Sequence, residues 1–245
     1  MGSGIVAYDA RVTVAAVILF REIETALADT AGRPAARRMV ETAWAGGATP
    51  IVVVSFDEAG QLSAVLAGSP ALLAEPAPGE NGPVGQIVRG MRVAAEQVRE
   101  TDASIVWPGR MVWVDAETVT TLIESHGADR SSILRPSYAG EPGWPALVPT
   151  DLLPRLAELA TDRLPDDLLD DLQAAGASLR HIATGDPGVT HDRSTTLEAL
   201  PAFEGPPEPV GASPEWGAAA AEMPDEGPLE GPALAPYSQA ADEGD

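Results

Sequence analysis

Short apolar runs alternate with amphipathic ones from residue 12 to residue 182, and this alternation restricts the fold more than any other feature. Residues 12–19 (VTVAAVIL), 50–54 (PIVVV), 103–107 (ASIVW), 131–134 (SSIL) and 178–182 (SLRHI) are short, apolar or β-branched, several with turn residues nearby. Residues 71–74 (ALLA) and 145–148 (PALV) are further candidates. Between these runs apolar residues recur three and four apart, the spacing of one helix face. Met39, Val40, Ala43 and Trp44 share such a face, and Leu62, Val65 and Leu66 another. The clearest set is Val84, Ile87, Val88, Met91, Ala95 and Val98, preceded by Asn81-Gly82-Pro83, a turn with proline at the first helical position. Val119, Leu122 and Ile123, then Leu152, Leu153 and Leu156, complete the pattern. Continuous apolar strands separated by helices predict an α/β fold with a mostly parallel sheet covered on both faces. Ligands of such sheets bind beyond the carboxyl ends of the strands. Two loops therefore matter most: the one after Leu19, and Pro108-Gly109-Arg110.

Charge and composition remove several chemistries. The 245 residues carry 15 basic and 37 acidic side chains, a net charge of −22, and every basic one is arginine. A chain this negative repels phosphate backbones, which excludes a nucleic-acid partner. Without lysine there is no Schiff base and no lysine-based phosphate cradle. Without cysteine there is no disulfide, thiol catalysis or thiolate–metal site. No apolar run approaches the roughly 18 residues of a membrane helix. Ala26-Leu27-Ala28 imitates a signal-peptide cleavage site, but Asp9 balances Arg11 and the stretch before it holds Arg21, Glu22 and Glu24. A cytoplasmic protein with no membrane contact is expected.

Residues 205–245 differ from the rest, with eight prolines, six glycines, nine acids and no basic residue. Val210, Leu229 and Leu234 are too few to offset the cost of ordering the chain, so a disordered acidic tail is expected after a domain spanning 1–204. The tail either solubilises the protein or, through Trp216 and Tyr237, docks a protein partner.

The order of segments within the body resembles a known family. Gly32-Arg33-Pro34 leads into a helix ending Ala45-Gly46-Gly47-Ala48, followed by the strand at 50–54. The 78–90 loop and helix, Trp107-Pro108-Gly109 and Asp115-Ala116-Glu117-Thr118-Val119 come next. Arg135-Pro136, Gly143-Trp144-Pro145, Asp186-Pro187-Gly188 and Asp192-Arg193-Ser194-Thr195 close the series. Together, from about residue 12 to residue 203, these resemble the MobA-like NTP transferases, which include molybdenum-cofactor guanylyl- and cytidylyltransferases on a Rossmann-like fold. The resemblance implies binding of a nucleoside triphosphate such as GTP or CTP with Mg2+. It further implies transfer of the nucleoside monophosphate to an acceptor phosphate, with release of pyrophosphate. On this resemblance Phe20, Arg21 and Arg110 fall at the nucleotide, Gly79, Asn81, Gly82 and Gly85 in a loop facing the acceptor or nucleotide, and Asp192 at the metal.

Departures from the family pattern fall where the chemistry would be. The family's first strand enters a glycine-rich loop followed by a lysine. Here the place reads Leu19-Phe20-Arg21-Glu22-Ile23-Glu24, with no glycine between Gly4 and Gly32. Side chains fill the space where backbone would meet phosphate, and Glu22 and Glu24 repel it. The family's metal-binding aspartate after L-P-G is Arg110, which binds phosphate but not magnesium. Asp115 suits either a helix N-cap or a substitute ligand. Trp144 replaces a histidine, as a stacking surface or as packing. Arg89 and Arg92 face an anionic ligand or solvent. Asp166, Asp167, Asp170 and Asp171 read as a solvated helix face, and of His126, His181 and His191 only His191 lies beside a site candidate. The chain is therefore either a divergent nucleotidyltransferase acting on a phosphorylated or cofactor-like acceptor, or a catalytically inactive descendant serving as a binding or assembly module.

Overall fold

The computed structural model describes residues 12–205. The acidic segment from Pro206 onward, with Trp216 and Tyr237, lies outside them. The principal sheet has eight strands, ordered β10-β7-β9-β6-β1-β4-β5 with β8 joined to β7. Their bounds are β1 Val14–Leu19, β4 Ile51–Val54, β5 Ala71–Ala74, β6 Ala103–Pro108, β7 Ile133–Tyr138, β8 Glu141–Pro142, β9 Ala146–Pro149 and β10 Leu179–Ala183. A separate hairpin, β2 Asp29–Thr30 with β3 Arg33–Pro34, precedes the second helix. The longer helices are α2 Ala35–Ala45, α4 Pro83–Gln97, α5 Ala116–Ala128 and α7 Pro165–Ala174. Shorter ones are α1 Ile23–Leu27, α3 Gln61–Leu66 and α6 Leu153–Leu156.

β1 sits at the centre because its sequence offers no polar face. All of Val14 through Leu19 is buried, which requires cover on both sides of the sheet. It pairs in parallel with β4 and β6, and Leu19 lies in register with Val54 and Pro108. Only β8 and β9 run against the others: β9 is antiparallel to β6 and β7, and β7 pairs in parallel with β10. The carboxyl ends of β1, β4, β6, β7 and β10 therefore emerge at one edge. The sheet is mixed and mostly parallel, as the apolar runs predict.

Two sequence expectations need correction. Trp44 does not share the buried face of α2 but is 57% exposed, while Ala35, Ala36, Met39, Val40 and Ala43 carry the burial. β7 also continues past Leu134 through Arg135 and Ser137, polar positions with no strand signature in the sequence. No helix among the described residues is long and apolar enough to cross a membrane.

α4 packs closely on the sheet centre because Gly90 lies against Val17 of β1 and Val54 of β4. A Cβ at Gly90 would overlap Val17 Cγ1 and meet Val54 Cγ2 at 2.9 Å, both on stiff β-branched side chains. Gly90→Ala is expected to destabilise the domain by about 1–3 kcal/mol despite the better helix propensity of alanine. Urea unfolding would register this as a lower midpoint with an unchanged slope.

Candidate functional site

The loops after β1 and β6 are held together by backbone. The Gly109 amide donates to the Leu19 carbonyl at 2.8 Å, and the Phe20 amide to the Val54 carbonyl at 2.9 Å. Phe20 is fully buried, and its ring lies where a side chain at residue 109 would be. The buried Trp107 indole donates to the Met111 carbonyl at 2.8 Å, and the Met111 amide to the Pro108 carbonyl at 2.9 Å. These bonds fix a tight turn with Arg110 exposed at its tip. The Arg193 amide donates to the Arg110 carbonyl at 2.8 Å, which brings Asp192 and Arg193 from the far end of the chain to the same place.

The result is a cleft of about 400 Å3 at the carboxyl edge of the sheet. Phe20, Arg21, Arg110, Asp192 and Arg193 line it, with Pro83 and Gln86 of α4 and Leu164 before α7. Of the residues singled out from sequence, Arg21, Arg110 and Asp192 thus line one cleft. Phe20, fully buried, lines it as well.

The arginines in this cleft differ from most others on the surface, Arg99 apart. Arg33, Arg37, Arg89, Arg92, Arg135, Arg163 and Arg180 are ion-paired with nearby carboxylates. Arg38 lies over the Trp113 ring and donates to the Val112 carbonyl. Arg21, Arg110 and Arg193 are exposed and make no side-chain hydrogen bond or ion pair among the described residues. Asp192 accepts from the Ser194 hydroxyl at 2.6 Å and the Ser194 amide at 2.8 Å. The Ser194 hydroxyl first, then its amide and the charges of Arg110 and Arg193, hold this carboxyl below the usual range against the opposing effect of burial.

Asp192 and Glu22 are the carboxylates lining this cleft, too few to enclose a divalent cation without oxygen ligands from a bound phosphate or water. Among the described residues no three His, Asp or Glu side chains are grouped to hold a metal. Asp192 has one oxygen engaged by Ser194 and two guanidinium groups near enough to lower its proton affinity. Asp115 caps α5 by accepting from the Glu117 amide at 2.9 Å. Sequence left Asp115 open between cap and ligand; the geometry gives the cap.

The 79–85 loop is shaped by packing. A Cβ at Gly82 would strike the Thr161 carbonyl, and one at Gly85 the Glu80 backbone. The amides of Val84 and Gly85 donate to the Thr161 carbonyl at 3.0 and 3.4 Å, so the first turn of α4 has part of its donor capacity taken. Arg89 and Arg92 face Glu80, at 3.9 and 3.4 Å. Asn81 and Gly82 line a hollow of about 280 Å3 together with Arg21, Gln86 and Asp162, whereas Gly79 is exposed outside both spaces.

A second cleft of about 510 Å3 shares Arg110 and Asp192 with the first and extends to Arg135, Trp144, Asp166 and Thr190. Trp144 is packed here, buried under the Arg135 guanidinium, with its indole donating to Asp166 at 3.1 Å. Asp166 also pairs with Arg135, so it does more than solvate a helix face. His191 Nδ1 lies 2.8 Å from the Pro187 carbonyl, His126 is buried in α5, and His181 is exposed on β10.

Arg193, Gln86 and Leu164 belong to the cleft without having been singled out from sequence. Arg193 adjoins Asp192 in the chain, which was the one available signal. Nothing in the sequence marks Gln86, a buried polar residue on an amphipathic helix, or Leu164, which is 59% exposed.

Comparison with known proteins follows the same outline. The model of the MobA-like NTP transferase domain matches residues 21–178. A search of curated sequences gives no significant match. Among solved structures, a nucleotidyl transferase from Methanothermobacter is 18% identical with a TM-score of 0.59, over 71% of this chain and 88% of that one. A manganese complex of Rv0371c from Mycobacterium tuberculosis H37Rv is 17% identical with a TM-score of 0.56, over 71% and 89%. A CMP:2-keto-3-deoxy-manno-octonic acid synthetase complexed with CTP is 15% identical with a TM-score of 0.54, over 74% and 91%. At these identities the structural likeness establishes the fold.

The cleft's far loop depends on Asp186. This buried carboxylate accepts from the Asp115 amide and the Thr118 hydroxyl, each at 2.8 Å, and from the Gly188 amide at 2.7 Å. Burial pushes its carboxyl up, and those three donors act in the opposite direction. Asp186→Ala would strand all three and is expected to cost about 3 kcal/mol. Asp186→Asn should recover part of the loss, as measured by chemical denaturation.

Proposed function

The chain belongs to the MobA-like NTP transferase domain family, and on that premise we propose that its cleft at the ends of β1 and β6 binds a nucleotide through the phosphates. The observation that carries this reading is the convergence of Arg21, Arg110 and Arg193, whose side chains make no hydrogen bond or ion pair among the described residues. Guanidinium groups match phosphate oxygens with two parallel hydrogen bonds. The hollow lined by Asn81, Gln86 and Asp162 adjoins Arg21 and offers amide and carboxylate groups to a base such as guanine or cytosine. A cytoplasmic setting supplies such nucleotides.

Binding as an end in itself is favoured by the first-turn amides of α4, which are occupied by the Thr161 carbonyl. On this reading the protein is a binding or assembly module built on the transferase scaffold.

Transfer chemistry is the second reading, and the specific observation for it is the adjoining cleft that shares Arg110 and Asp192. There a phosphorylated or cofactor-like acceptor would present a phosphate oxygen to the α-phosphorus of GTP or CTP. The new phosphorus–oxygen bond forms as the bond to the β-phosphate oxygen breaks, and pyrophosphate leaves with the electron pair. Arg110 would offset charge on the leaving group.

Calorimetric titration of the full chain with GTP and CTP tests the shared premise. Micromolar binding is expected, and Arg110→Ala should weaken it at least tenfold, in line with about 1.5–3 kcal/mol for a charge-assisted hydrogen bond. Absence of heat with every nucleotide would sink the reading. Pyrophosphate release in the presence of phosphorylated acceptors would move the conclusion from module to transferase.

A further inference from the structure

We infer that the hollow beside Arg21 selects guanine, with the Asp162 carboxylate accepting from the two N–H groups on the base's pairing edge and the Gln86 amide donating to its carbonyl oxygen. This rests on the nucleotide-binding reading above and names the base.

Gln86 is the residue that asks for a ligand. It is 5% exposed, yet neither end of its side-chain amide makes a hydrogen bond among the described residues. A buried amide without partners is unfavourable unless a bound molecule or water satisfies it. Gln86 lines both the cleft of about 400 Å3 and the hollow of about 280 Å3, so an occupant of either space meets it.

Backbone packing brings Asp162 to the same hollow. Gly82 and Gln86 are one helical turn apart, and the Gln86 backbone amide donates to the Gly82 carbonyl at 2.9 Å. The segment at Thr161 and Asp162 lies against that turn. A Cβ at Gly82 would meet the Asp162 Cα at 3.1 Å, and the Thr161 carbonyl accepts from the Val84 amide at 3.0 Å. Asp162 is exposed, and its carboxylate makes no hydrogen bond or ion pair among the described residues. It is the one acid among the residues that line the hollow.

The chemistry of these two groups chooses among the bases. An ionised carboxylate only accepts. Guanine alone of the common bases has two adjacent N–H donors, at N1 and N2, on one edge, and the paired oxygens of a carboxylate match them. Cytosine turns lone pairs at N3 and O2 to the same place, and uracil flanks its single N–H with two carbonyls, so the carboxylate repels both. Adenine sets one donor beside the N1 lone pair. The Gln86 amide can donate or accept, and against guanine its nitrogen donates to O6. Arg21 lines the hollow and the cleft alike, so the base site and the phosphate site are continuous.

The test titrates the full chain by calorimetry with GTP, CTP and ITP, the last differing from GTP only by loss of the 2-amino group. GTP is expected to bind about tenfold or more tighter than CTP, and about tenfold tighter than ITP, the scale of one hydrogen bond to a charged group. Asp162→Asn should bring GTP down to the affinity of ITP. Gln86→Leu should weaken GTP and ITP by the same factor, about tenfold, because both keep O6. Asp162 is exposed, so thermal unfolding of Asp162→Asn should match the wild type, which keeps the test decisive if the buried Gln86→Leu variant fails to fold. CTP binding as tightly as GTP, ITP equal to GTP, or a GTP preference that survives Asp162→Asn overturns the inference and leaves nucleotide binding intact. Failure of all three nucleotides to bind overturns both.

Discussion

The contact between Gly109 and Phe20 is the constraint on which the site depends. The two central strands end side by side, and their loops share one small volume because residue 109 has no side chain and the Phe20 ring occupies the space. The bond from the Gly109 amide to the Leu19 carbonyl locks the arrangement. Arg110 is displayed because the turn beneath it is rigid. The loop carrying Asp192 and Arg193 is then registered against that turn through the Arg110 carbonyl. A site made from three distant parts of the chain thus hangs on one close approach.

Charge distribution gives this rigidity its consequence. With a net charge of −22 the protein as a whole repels nucleotides, so any recognition has to be local. Most of the arginines discussed here are held by neighbouring carboxylates, as in the Arg163–Asp171 and Arg37–Glu41 pairs, and contribute little field. The cleft collects arginines that lack such partners. Low-dielectric walls formed by Phe20, Leu19 and Pro83 raise the effect of each charge at short range.

Sequence made the framework legible where burial is two-sided. β1 and β4 are unbroken apolar runs, and β6 is interrupted only by Ser104, because both faces are covered; the amphipathic period of α4 was equally plain. β7 was cut short because Arg135 and Ser137 carry no strand signal, and Trp44 looked like core because spacing alone does not report where a helix meets its neighbours. At the site, Arg21 and Arg110 could be named because parallel strands place their loops at one edge. Asp192 was named from a motif, but its neighbour Arg193 gains its place from a backbone bond that no sequence pattern encodes. The role of the Thr161 carbonyl at α4 was hidden for the same reason. Two segments nearly eighty residues apart had to be brought together first.

The central claim is that the guanidinium groups at this cleft contact the phosphates of a nucleotide. A crystal grown with GTP or CTP addresses it directly. The account predicts phosphate density against Arg110 and Arg193. Nucleotide density away from these two residues would contradict it.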